Sequence, residues 1–262
     1  MARPHIESIH AYDVSAEPVV EGPLAGALRR ELSADDQDGS STALVTFPAG
    51  WSGDLAGPRP IELFALSGGG ELGGLAVRPG TWAWVPTQAA GALLSFAVAS
   101  DVLVMVEPER PTATGEIELV DTVAERYAES MVAVPPGLAV KVMRIDPETS
   151  DRSWVAASVA GWLGYKAEIH PTVEEALLLR GDCLLDNSGE MRPCDYFWRP
   201  GGIYHGPFAT RDGMLFFFRT KGGNMAVDFF EVDDWADKAR AYYDAEPYVT
   251  GRGRPHADEV RR

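Results

Sequence analysis

Only two cysteines, Cys183 and Cys194, occur in 262 residues, which excludes a disulfide-stapled scaffold. Their spacing would let them face each other across a hairpin, and free thiols are the expectation. Histidine is scarce as well, with His5, His10, His170, His205 and His256, so a site built from imidazole can be searched exhaustively. Basic residues are in deficit: 23 Lys plus Arg stand against 39 Asp plus Glu, a formal charge of −16. A surface of that sign repels phosphate backbones and anionic headgroups, so neither a nucleic acid nor a membrane is an expected partner. No stretch reaches the roughly 18 uncharged apolar residues of a membrane helix. The start, Met1-Ala2-Arg3-Pro4-His5-Ile6-Glu7, lacks the apolar run of a signal peptide, and a cytoplasmic location is expected. Nucleophile and phosphate motifs are missing too: there is no G-x-S-x-G elbow and no Walker loop. Gly68-Gly69-Gly70 is followed by Glu71 and Leu72 and reads as a hairpin turn.

What the chain has in quantity is punctuation. Twenty-seven Gly and 19 Pro separate short apolar, β-branched or aromatic runs, the spacing of an all-β sandwich or barrel. Strands are expected at 42–47, 61–66, 81–85, 93–98, 102–106, 139–145, 176–179, 196–199 and 214–219. One helix is expected over 233–243, where Trp235, Ala239 and Tyr243 recur behind the capping candidates Asp233 and Asp234. A second short helix is expected over 120–130. The tail from Gly251-Arg252-Gly253-Arg254-Pro255 should drape over the surface.

The two halves repeat one another. Gly50-Trp51, Glu62, Gly69, Gly80 and Pro86 match Gly161-Trp162, Glu174, Gly181, Cys194 and Pro200 in the same order, at offsets of 111, 112, 112, 114 and 114. Five pairs at a nearly constant offset point to duplication of one unit.

Glu168-Ile169-His170-Pro171-Thr172-Val173-Glu174, followed by Gly181, resembles the first cupin motif, in which two histidines two apart precede a glutamate and a glycine. Pro200-Gly201-Gly202-Ile203-Tyr204-His205 resembles the second. The chain is similar to two-domain cupins, and the segments 170–175 and 196–200 look most like bacterial bicupins related to ChrR cupin domains. The resemblance implies tandem cupin β-barrels, each a double-stranded β-helix, with the short C-terminal helix appended. The expected division is 1–125 for a first barrel with a degenerate metal site and 126–262 for the barrel that carries the metal. Glu168 stands where a histidine is usual, Cys194 where a glycine is usual, and Pro58 and Gly91 at two histidine positions of the first half.

Residues 168 and 170 share one face of a strand. Glu174 reaches the same point only if the chain turns there, and His205 arrives from a separate segment. Two carboxylates and two imidazoles suit Fe(II), Mn(II), Zn(II) or Ni(II), and the lack of thiolates argues against structural zinc. The expected ligands of one divalent metal per chain are therefore Glu168, His170, Glu174 and His205, with Fe(II) favoured by the resemblance. Glu168 reads equally well as a solvated strand residue, Glu175 as a surface charge, and His5, His10 and His256 as solvated terminal residues.

Arg199, Trp198, Phe197 and Phe217 are candidates to contact substrate, and Glu174 and Tyr204 to move a proton. An incomplete shell beside aromatic residues suggests an enzyme acting on a small, largely apolar organic molecule. The resemblance implies an Fe(II)-type oxygenase, an isomerase or a decarboxylase. A sensor without catalysis and a metal-free scaffold are the competing readings, and a homodimer is compatible with each.

Overall fold

The computed structural model describes residues 3–127, 137–223 and 225–245. Its architecture follows from the β-prone runs: two large antiparallel sheets pack face to face, and each is closed into a barrel by smaller sheets. The first large sheet runs in the order Glu118–Asp121, Thr81–Val85, Ile61–Ala65, Ser100–Val106, Ser41–Phe47, Leu28–Ala34 and Glu17–Pro18. The second runs Ile6–His10, Asp195–Arg199, Val173–Gly181, Met214–Lys221, Arg152–Ser158 and Ala139–Ile145. The N-terminal strand thus belongs to the sheet of the second half, pairing Ile6 with Trp198 and His10 with Asp195.

These are tandem cupin barrels with one short C-terminal helix, Trp235–Asp244. All nine strands read from the sequence are present. The helix expected over 120–130 is not: Glu118–Asp121 is an edge strand and the chain turns after it, while residues 128–130 lie outside the described residues. The triple glycine is not a hairpin turn either. Gly70 already opens the strand Gly70–Leu72, and the hairpin turns at Gly73-Gly74. The tail beyond residue 245, with His256, lies outside the described residues.

Strands buried on both faces explain why the pattern reads as continuous apolar runs. In Val173–Gly181 the alternate residues Ala176 and Leu178 enter the interior of the second barrel, beside Phe197, Phe216 and Phe218. Leu177, between them, joins Phe64, Trp82, Leu103, Tyr196 and Phe217 in a core shared by the two barrels. Phe64 and Phe217 meet there at a ring separation of 4.8 Å. At about 1.5–3 kcal/mol for each large side chain buried, this seam joins the halves firmly.

The register of the repeat corrects two of the five sequence pairs. Ile61 pairs with Val85 and Glu62 with Trp84, as Glu174 pairs with Arg199 and Glu175 with Trp198. The counterpart of Glu174 is therefore Ile61, and Glu62 corresponds to Glu175. A slip of one residue exchanges the faces of a strand, so Glu62 never faced the barrel interior. Gly181 likewise matches Gly68: both have φ near +80°, and an added Cβ would lie 1.8 Å from Gly213 O or 2.0 Å from Ser100 Oγ.

Glu175 is a second correction, since it is buried in the seam and is no surface charge. Arg219, 2% exposed, binds it at 2.5 Å, binds Glu62 at 2.8 Å and also pairs with Glu107. Trp82 Nε1 donates to Glu62 at 2.5 Å and Tyr196 OH to Glu175 at 2.7 Å, so the duplication survives in this polar core.

The C-terminal helix docks through buried Trp235, Ala239 and Tyr242. Trp235 Nε1 donates to Gly164 O at 2.6 Å, and Tyr242 OH to Asp182. Asp234 makes no capping bond and instead pairs with Lys238. Among the described residues no helix is long and apolar enough to cross a membrane. Cys183 and Cys194 are both free.

Candidate metal centre

Two segments must meet for the four predicted ligands to converge, and glycine makes the meeting possible. A Cβ on Gly201 would fall 1.9 Å from Pro171 O, so only glycine lets the second motif nest against the first. Gly202, at φ +82°, then donates its N–H to His170 O at 2.8 Å. Further along, His205 and Glu168 exchange both backbone hydrogen bonds, at 3.0 and 2.8 Å. His170 follows the strand Lys166–Ile169, and Glu174 is the second residue of Val173–Gly181, pointing inward.

The imidazoles are held in one tautomer. His170 Nδ1 donates to Thr172 O at 2.9 Å, with Thr172 Oγ1 at the same distance, and His205 Nδ1 donates to Ile203 O at 2.8 Å. A carbonyl can only accept, so Nδ1 carries a proton, and in the neutral ring each Nε2 turns its lone pair to the cluster. The rings meet edge to face, 4.9 Å apart. Nε2 of His205 lies 3.4 Å from Glu174 Oε2 and 3.3 Å from Glu168 Oε1, and Nε2 of His170 lies 3.9 Å from Glu174 Oε1. Burial lowers the His205 pKa, but the Glu168 and Glu174 carboxylates outweigh it and leave the group raised.

The four side chains are between 1% and 6% exposed. Yet His170 Nε2, His205 Nε2, Glu174 Oε2 and Glu168 Oε2 have no hydrogen-bond partner. Buried polar atoms are normally satisfied, and donors bound to one ion at about 2.0–2.2 Å stand about 3–4 Å from one another. The donor set therefore fits a divalent cation. Among the described residues His170, Glu174 and His205 form the one group of three donors with all ligand atoms within 4.8 Å, and Glu168 joins it through His205. In the first barrel Ile61 occupies the place of Glu174 and offers no donor atom.

The predicted substrate contacts divide. Arg199 is buried beside Glu174, with NH1 3.9 Å from Glu174 Oε2, and its guanidinium stacks 3.9 Å over the Phe197 ring. Trp198 and Phe217 point the other way, into the seam between the barrels, because alternation along a strand turns neighbours to opposite faces. Tyr204 stands outside the buried cluster, 39% exposed with its ring against Phe230. His10 is no solvated terminal residue, since it binds Asp195 at 2.7 Å; His5 is partly exposed beside Glu7.

Sequence reasoning missed Thr172, which helps orient His170, and the strand Asp228–Glu231, which pairs with Lys166–Ile169 and sets Phe229 opposite Glu168. Thr172 could have been found, lying two residues from a candidate ligand. Asp228–Glu231 is exposed throughout and carries no alternation to find.

With this geometry in view, a family model described as "Domain of unknown function (DUF4437)" matches residues 84–227. The chain belongs to the DUF4437 family. No curated protein matches it. Among solved structures it is similar to a candidate dioxygenase from Nostoc punctiforme PCC 73102, with a TM-score of 0.73, 18% identity, and 88% of this chain and 87% of that one covered. It is also similar to oxalate decarboxylase from Bacillus subtilis, with a TM-score of 0.57, 11% identity and coverage of 91% and 83%. A third is the protein YlbA from E. coli, with a TM-score of 0.59, 14% identity and coverage of 82% and 89%. At such identities the likeness establishes the cupin fold and nothing of the chemistry.

Proposed function

We propose that this DUF4437 chain is a metal-dependent cupin enzyme that holds one divalent ion in its second barrel and acts on a small organic substrate. The observation that carries the reading is the set of four buried donor atoms without partners, two of them imidazole nitrogens freed by locked tautomers. His170, Glu174 and His205 would hold the ion and Glu168 would complete or vacate the shell. Fe(II) is the ion favoured, with an oxygenase as the finer reading and an isomerase or decarboxylase as the alternative. The bound ion would act as a Lewis acid or an oxygen-activating centre.

The chain's own groups do the rest. Thr172 and Ile203 keep the imidazoles oriented, and the packed barrel interior limits bulk water. Glu168, where it vacates the shell, offers a carboxylate oxygen on which a substrate proton could be held, a role for which Tyr204, outside the buried cluster, is less well sited. Descriptions of proteins with this fold as a candidate dioxygenase and an oxalate decarboxylase agree with a metal enzyme.

Deep burial of the cluster favours one competing reading, a closed metal sensor in the manner of ChrR-like cupins. Metal analysis after anaerobic loading with Fe(II), followed by dialysis, tests the proposal. One equivalent per chain, lost in His170→Ala and His205→Ala, is expected; trace metal only, or retention in both variants, overturns it.

A further inference from the structure

Among the described residues Arg199 is the side chain beside the cluster whose needs the metal would not meet. It is 1% exposed, yet Nε and NH1 have no hydrogen-bond partner. NH2 accounts for its visible contacts, donating to Ser188 Oγ at 3.0 Å and standing 3.6 Å from Glu7 Oε2. From behind, the Phe197 ring supports the guanidinium plane. NH1 faces Glu174 Oε2 at 3.9 Å, too far for a hydrogen bond. A guanidinium does not discharge in a protein, and a buried cation without a partner costs several kcal/mol. Glu174 cannot serve as that partner if its oxygens are committed to an ion. Glu7 reaches only the far nitrogen, from a strand edge where it is 41% exposed.

The charge count leads the same way. With a divalent ion bound, Glu168 and Glu174 cancel it, and the buried charge of Arg199 is then offset only by Glu7, from the partly exposed edge of the sheet. We infer that the ligand of this site is a small carboxylate, with one of its oxygens bound by NH1 of Arg199 next to the metal. The inference rests on the metal reading above and sharpens it: the substrate has one anionic group, with any apolar part turned away from the guanidinium.

Acetate serves as the probe, with acetamide as its neutral counterpart. Protein loaded with Co(II) is titrated with each while the visible d–d bands are followed, and metal content is measured on the same samples. Saturable acetate binding with no response to acetamide is expected. Arg199→Met should weaken acetate at least tenfold while keeping one metal per chain. Arg199→Lys, which keeps the charge without the fork, should fall between and serves in its place should the methionine variant not fold. Equal acetate affinity in wild type and variant, or an equal response to acetamide, overturns the inference. Protein that takes up no metal fails the metal reading instead. Acetate is then followed on the metal-free protein by line broadening of the 13C-labelled ion, where binding that depends on Arg199 keeps the inference and its absence ends it.

Discussion

Replacing Arg219 by methionine removes the shared counter-ion of the seam between the barrels. Its three carboxylate partners do not suffer equally. Glu107 keeps Lys221, and Glu175 keeps hydrogen bonds from Thr42 and Tyr196 with Arg3 at 3.6 Å. Glu62, 2% exposed, keeps only the Trp82 indole. One buried carboxylate is thereby stranded, and breaking a buried pair from one side costs about 3–5 kcal/mol. At about 2–4 °C per kcal/mol for a chain of this size, the melting temperature should drop by roughly 6–20 °C. Circular dichroism melts and urea titrations at pH 7 measure the loss. Adding Glu62→Gln to Arg219→Met removes the stranded charge and should return a large share of the stability, with a coupling of about 1–3 kcal/mol. Metal content, set in the interior of the second barrel, should stay unchanged. If Arg219→Met lies within about 1 kcal/mol of wild type, or Glu62→Gln adds its full cost on top, the account of the seam is wrong.

The ligand set makes its own prediction: His170→Ala and His205→Ala should each abolish tight metal binding, Glu168→Ala should weaken it, and Glu62→Ala should leave the metal content unchanged by elemental analysis. Acid should loosen the seam. Burial pushes the Glu107 carboxyl up, but Lys221 and Arg219 outweigh it and hold the pKa at about 2, against an ordinary 4.5. A lowered carboxyl contributes stability that is fully present above about 4.5 and lost as the pH falls through about 2. Wild type should therefore exceed Glu107→Gln by about 3 kcal/mol at neutral pH and converge with it near pH 2, and urea midpoints that stay parallel would contradict this. Gly181→Ala should cost about 2 kcal/mol more than Gly161→Ala, because both have positive φ but only at 181 does the new methyl strike backbone, 1.8 Å from Gly213 O. Equal melting temperatures for the two variants would remove the overlap argument.

Strand positions were legible because runs such as Thr81–Val85 and Met214–Lys221 are apolar between glycine and proline breaks, and the repeat carried the tandem arrangement with them. Faces were less legible. A strand buried on both sides shows no alternation, so Trp198 and Phe217 looked as available to a ligand as Phe197, and Glu62 looked like the partner of Glu174 although the register makes it that of Glu175. His170, Glu174 and His205 were readable from spacing, since motif positions survive small loop changes. Arg199 could be suspected, but its two unpartnered nitrogens depend on Ser188, Glu7 and Phe197, which only long-range folding assembles. The strand Ile6–His10 was invisible because its partner lies nearly two hundred residues on.

That pairing has a consequence for biosynthesis. As the chain leaves the ribosome, residues 6–10 emerge well before their partner, and the edge they bind is complete only when Asp195–Arg199 has followed. The first barrel can close around its own strands in the meantime, while its leading segment waits unpaired. Closure of the second barrel then draws residues 6–10 back across the molecule and sets Glu7 beside Arg199. A fragment beginning near residue 126 would carry every proposed metal ligand and still lack one strand of its sheet, so the barrel with those residues is completed by a strand that lies ahead of the whole first barrel in the chain.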